Sequence, residues 1–75
     1  MKLPVRYIKK NYRLAKRMQK LRKQQKLTQG QLAEKLHVSL NYLGKIETGR
    51  KVPNLRLLYK IAEVLNVKVQ DLFPF

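Results

Sequence analysis

The sequence predicts an all-α fold, and three observations carry that prediction. Apolar residues recur at spacings of three and four in several separate stretches, the period that lines one face of a helix. Residues with helix-capping chemistry, Thr28, Ser39 and Asn54, stand at the start of three of these stretches. The only β-like runs, Val5 to Ile8 and Val67 to Val69, are too short to build a sheet of three strands.

In the first stretch, Leu14, Ala15, Met18, Leu21 and Arg22 fall on one helical face, which places a helix from about Tyr12 to Gln25. Val5, Ile8 and Tyr12 continue the same spacing backwards and allow an earlier start, while Pro4 keeps the extreme N-terminus out of a continuous helix. Thr28-Gln29-Gly30-Gln31 has the form of a capping box: the Thr28 hydroxyl accepts from the amide three residues on, and Gln31 reaches back. A second helix therefore opens at Gln29 and turns Leu32, Ala33 and Leu36 inward. His37-Val38 interrupts its pattern, and Ser39 caps a third helix from Leu40 to about Glu47 whose inner face is Leu43, Ile46 and Glu47. Gly49 supplies the left-handed residue that ends it, and Arg50-Lys51-Val52-Pro53 follows as a basic loop. Asn54 caps a fourth helix with Leu57, Leu58, Ile61, Ala62 and Leu65 at the helical period, closed by Asn66. Val69 to Phe73 has room for one further helical turn before Pro74.

Composition narrows the functions open to such a chain. Seventy-five residues form one small domain. The chain has no cysteine and a single histidine, so thiolate and imidazole metal cages and cysteine nucleophiles are excluded, and no cofactor is expected. Only four acids are present, scattered, with no pair placed for acid-base catalysis, which argues against an enzyme. No stretch approaches the roughly eighteen apolar residues of a membrane-spanning helix, and no signal-peptide pattern is seen, so the expected address is the cytoplasm. The formal net charge of +14 calls for an anionic partner. It is unevenly spread: residues 1–26 carry eleven basic side chains and no acid, and the remainder nets only +3.

Two short helices joined by three residues, with the small Ala33 in the first and Val38 in the turn, form a helix-turn-helix arrangement. Close crossing near a right angle requires a side chain no larger than a methyl group at the contact, with Val38, Leu43 and Ile46 filling the wedge. A generic small bundle has the same spacing, and the positive charge tips the balance towards nucleic acid. The residues Leu27-Thr28-Gln29-Gly30-Gln31-Leu32-Ala33, Val38-Ser39, Ile46-Glu47-Thr48-Gly49-Arg50, Pro53, and Leu58 through Ala62 to Leu65 resemble the phage-repressor and Cro-like helix-turn-helix family. The resemblance runs from about Met18 to Phe73. It implies a five-helix domain of the lambda-repressor type, a transcriptional regulator that binds palindromic double-stranded DNA as a homodimer with its third helix in the major groove. Residues 1 to about 17 stand outside it, of which 1–11 are expected to form a basic N-terminal arm or helix extension to the domain of residues 12–75.

The same resemblance implies which residues meet DNA. Gln29 matches a glutamine that contacts phosphate and buttresses the recognition helix; a helix N-terminus also offers amides and a positive dipole to phosphate. Ser39, Leu40, Asn41, Tyr42 and Lys45 match the outward positions of the recognition helix. Asn41 has the bidentate geometry for adenine, Lys45 can donate to guanine, and Leu40 can pack on a thymine methyl. Leu40 departs from relatives with polar side chains there and serves equally well to face a neighbouring protein. Gly44 is either a site of close approach to DNA or a plain surface position. Tyr42 either donates to a phosphate or packs back on the domain. Thr48, Arg50 and Lys51 match a loop that clamps the sugar-phosphate backbone. Arg22 and Glu47 match a partly buried ion pair tying the first helix to the end of the third. His37 stands where the family prefers glycine, and Lys68 replaces the usual Ser or Thr before the last short helix.

Three functional classes remain at the level of sequence. The first is an operator-binding regulator, a repressor in its simplest form. The second is a DNA-binding antitoxin or restriction-system controller. The third is a basic module that binds RNA or an anionic membrane through residues 1–26. The expected homodimer surface is the C-terminal region, Leu72, Phe73 and Phe75, together with the end of the fourth helix; core packing is the alternative for Leu72 and Phe73, and Phe75 is the favoured contact.

Overall fold

The computed structural model describes residues 5–74, with side chains from Lys10 onward. It consists of α1 (Val5–Gln24), α2 (Gln29–Leu36), α3 (Leu40–Glu47) and α4 (Leu55–Val64), followed by a 3-10 turn at Val69–Leu72. No strand occurs among the described residues. The expected fifth helix is therefore corrected to one tight turn. Lys68 offers no capping oxygen, and the turn is held from the other side, with the Lys68 amide donating to Asp71 Oδ2 at 3.0 Å. Helix α1 starts at Val5 rather than about Tyr12, because the run from Val5 to Gln24 contains neither Gly nor Pro to stop it.

The starts of α2, α3 and α4 are fixed by the side chains read from the sequence. Thr28 Oγ1 accepts from the Gln31 amide at 3.1 Å while Gln31 Oε1 accepts from the Thr28 amide at 2.9 Å, and the box is complete. Ser39 Oγ accepts from the Tyr42 amide, and Asn54 Oδ1 from the Leu57 amide. The ends share one device. Lys26, His37, Gly49 and Asn66 all take positive φ, between 57° and 79°. After each, the next amide bonds back to a carbonyl five residues earlier: Leu27 to Arg22, Val38 to Ala33, Arg50 to Lys45 and Val67 to Ala62. This is the Schellman closure, which satisfies carbonyls that the helix leaves open.

The core gathers Leu14, Met18 and Leu21 from α1, Leu32, Ala33 and Leu36 from α2, Leu43 and Ile46 from α3, and Leu58, Ile61, Ala62 and Leu65 from the α4 region. Among the described side chains of α1, those that enter it are Leu14, Met18 and Leu21. The C-terminal segment is tied to α1 by Arg17 Nε, which donates to the Asp71 carbonyl at 2.8 Å, and by Arg13 Nη2, which donates to the Pro74 carbonyl at 3.2 Å.

That docking takes Leu72 and part of Phe73 out of the expected dimer surface. Leu72 is fully buried in the core and Phe73 is half-buried against it, because the 3-10 turn folds back onto α1 and α4. Phe75 lies outside the described residues. Among the described residues, the large apolar side chains left exposed are Tyr12, Leu40, Val52, Leu55 and Tyr59. Leu72→Ala is therefore expected to lower the unfolding free energy by about 2–5 kcal/mol, the usual cost of a buried leucine truncation. Urea denaturation checks this; wild-type stability combined with weakened self-association would instead make Leu72 a surface contact.

Candidate nucleic-acid interface

The site is built on α3, and the position of α3 is set by Glu47 at its last turn. The Glu47 side chain is fully buried. Its carboxylate accepts a fork from Arg22 of α1, Nε to Oε2 at 2.8 Å and Nη2 to Oε1 at 3.1 Å. Oε1 also accepts from Gln29 Nε2 at 3.0 Å, which brings in the first residue of α2. The remaining reach of the guanidinium goes to the loop between α1 and α2, with Nη1 donating to the Leu27 carbonyl at 2.8 Å. Gln19 Nε2 donates to the Glu47 backbone carbonyl. No buried side-chain nitrogen or oxygen lacks a partner among the described residues. A charge pair out of water is tolerable on that condition, since an unpaired member would cost several kcal/mol.

With its inner face and last turn held, α3 presents a fixed outer face. Leu40, Asn41, Gly44, Lys45, Thr48 and Arg50 line one shallow concavity. Asn41 and Arg50 are exposed, Lys45 is half-exposed, and Leu40 retains 56% of its surface. A Cβ added at Gly44 would meet nothing within 4 Å, so the floor of this surface is open backbone. The side chains offer amide donors and an acceptor, two cations and an apolar tip. This set matches base edges, phosphates and a thymine methyl group.

The other candidate residues have more divided roles. Ser39 uses its oxygen as the α3 cap, an acceptor role that leaves the hydroxyl proton for an outside partner. Thr48 differs, because its hydroxyl donates to the carbonyls of Gly44 and Lys45 at 3.0 and 3.2 Å. Outward contact from Thr48 thus competes with a bond inside its own helix. Tyr42 is half-buried against the core, with the Lys51 ammonium 5.9 Å from its ring centre, so these two form a separate pair beside the concavity. Gln29 lies at the α2 start, where its side chain is engaged with Glu47 and its helix end carries the positive dipole. Gln19 was missed by sequence reasoning. Its signal was its place three residues before Arg22, on a neighbouring part of the same helix face.

Comparison with known proteins bears on this geometry. Residues 18–72 match the helix-turn-helix family. An HTH-type transcriptional regulator of Archaeoglobus fulgidus is 41% identical over 59 residues, 79% of this chain and 84% of that protein. The immunity repressor protein of Bacillus phage phi105 is 43% identical over 56 residues, 75% of this chain and 39% of the repressor. Among solved structures, the restriction-modification controller protein C.AhdI from Aeromonas hydrophila aligns with a TM-score of 0.79 at 27% identity. That alignment covers 83% of this chain and 94% of C.AhdI.

Gly44 offers a test of the open concavity. Ala in the middle of an exposed helix face is more favourable than Gly by about 1 kcal/mol, and nothing obstructs the added methyl group. Gly44→Ala is expected to raise the unfolding free energy by about that amount. A lower unfolding midpoint would mean that the position is packed.

Proposed function

This chain belongs to the helix-turn-helix family, and we propose that it is a sequence-specific double-stranded DNA-binding transcriptional regulator, a repressor that binds a palindromic operator as a homodimer. The observation that carries this reading is the outer face of α3: a shallow surface of Leu40, Asn41, Gly44, Lys45, Thr48 and Arg50 on a helix whose inner side is wholly committed to the core and to Glu47. In this reading α3 enters the major groove. Asn41 and Lys45 reach base edges, Leu40 packs on a thymine methyl, and the bare backbone at Gly44 permits close approach. Arg50, Lys51 and the start of α2 at Gln29 hold the sugar-phosphate backbone on either side, with Ser39, Tyr42 and Thr48 as further contacts. No catalytic step enters the reading, and its place of action is the cytoplasm, at the nucleoid.

One such helix reads too few base pairs for specificity, so the reading requires two. We assign the dimer contact to Leu55 and Tyr59, one helical turn apart on α4, with Val52 three residues before Leu55 in the chain, since these apolar side chains each keep more than half of their surface exposed. Two recognition helices about 34 Å apart then meet successive major grooves. The match over 94% of C.AhdI supports a second reading, a controller of a restriction system, which uses the same surface on a different set of genes.

Selection of bound duplexes from a random library tests the proposal. The expected product is a pair of inverted half-sites about one helical turn apart, bound at least about 10³-fold more tightly than random duplex. Equal binding of random duplex, RNA and anionic vesicles would overturn it. On the selected duplex, Gly44→Ala should weaken binding despite its gain in stability, because the methyl group fills the gap over the helix backbone.

A further inference from the structure

Helix α1 carries a feature that the α3 surface does not use. Tyr12, Lys16, Gln19 and Lys23 are spaced four, three and four residues apart, which aligns them in one stripe about 16 Å long on a single face of the helix. Two points of the stripe, Tyr12 at one end and Gln19 within it, are anchored beside elements that the reading above assigns to the DNA backbone. At one end, Gly49 packs so closely on α1 that a Cβ there would lie 3.4 Å from Tyr12 Cα, which sets Tyr12 against the turn leading into Arg50 and Lys51. Further along, Gln19 donates to the backbone carbonyl of Glu47, whose carboxylate binds Gln29 at the start of α2. The stripe therefore runs between the loop after α3 and the N-terminus of α2.

Its chemistry suits a polyanion. Tyr12, Lys16 and Lys23 are exposed, and the Lys16 ammonium lies 5.4 Å from the Tyr12 ring centre, a cation-π distance that steadies the charge beside a hydroxyl donor. Lys16, Gln19, Lys20 and Lys23 border one continuous depression along the helix. No acid occurs before Glu34 in the chain, and Glu47, the carboxylate nearest the stripe by these contacts, is buried and forked to Arg22. Tyr12 and Lys16 also precede the residues that match the family, 18–72, so the family's pattern does not supply them.

We propose that Tyr12, Lys16 and Lys23 form an additional contact of this chain with the sugar-phosphate backbone, bridging the contacts at the α2 start and the α3–α4 loop. The proposal rests on the DNA-binding reading above. The stripe reads no bases; it lengthens the run of phosphates held by each protomer and raises affinity for every duplex alike.

The test compares wild type, Lys16→Gln/Lys23→Gln, and a charge-matched control, Lys35→Gln/Lys68→Gln, on the selected duplex and a scrambled duplex over a range of salt. Each phosphate contact contributes about 0.9 to the slope of log affinity against log salt, so the stripe variant, which removes two contacts from each protomer of the dimer, should lose about 3.6 from that slope. Its affinity should fall by the same factor on both duplexes, with an unchanged thermal midpoint by circular dichroism, and the control should lose much less. A wild-type slope in the stripe variant, an equal loss in the control, or a loss confined to the selected duplex would overturn the proposal. A wild type that fails to prefer the selected duplex would retire the DNA-reading itself, whatever the slopes.

Discussion

The carboxylate of Glu47 is the constraint on which the rest of this small structure depends. It lies at the last turn of α3, fully buried, and is met by Arg22 from α1 and Gln29 from α2. A domain of this size has few apolar side chains with which to fix the relative placement of three helices, and apolar packing is non-directional. A forked pair is directional. It sets the rotation of α3 about its own axis as well as its distance from α1, and that rotation decides which side chains face outward. The desolvation cost is offset because both partners have their hydrogen-bonding capacity satisfied, with the spare guanidinium nitrogen used on the Leu27 carbonyl.

Around that point the chain is shaped by short-range devices. Each of three helices starts on a side-chain oxygen, and each of the four ends on a left-handed residue with a Schellman closure. These devices stop and start helices within a few residues, which is how a short chain joins α2 to α3 with three residues between them. Charge is then distributed over the outside. Of the four acids, Glu47 is consumed in the core and Asp71 caps the last turn, so the field presented to a partner is almost wholly positive.

Features whose chemistry is local were legible in the sequence. The caps at Thr28, Ser39 and Asn54 and the helix ends at Gly49 and Asn66 each follow from side chains within a few residues. The left-handed Lys26 was not legible, since lysine carries no signature for that backbone and the conformation is imposed by the closure onto Arg22. The start of α1 is less legible than its packed part, because the pattern from Leu14 onward is the stronger signal and Val5, Ile8 and Tyr12 only allow the earlier start that the helix takes. For Leu72 the sequence leaves surface and core open: one turn is too short to show a period, so its inward direction comes from tertiary docking on α1 and α4. At the candidate site, the grouping of Leu40, Asn41, Lys45 and Thr48 follows from helical spacing. The engagement of the Thr48 hydroxyl inside α3, and the link from Gln19 to Glu47 across 28 residues, depend on three-dimensional placement.

Arg22 and Glu47 act as one unit in holding the helices together. A double-mutant cycle in equilibrium unfolding, with Arg22→Met, Glu47→Leu and the two combined, tests it most directly. Each single change leaves a buried charge unpaired and should cost about 3–5 kcal/mol, whereas the double change removes both charges and should cost less than the sum of the singles by about 2 kcal/mol or more. Additive losses, or single variants as stable as wild type, would contradict the claim.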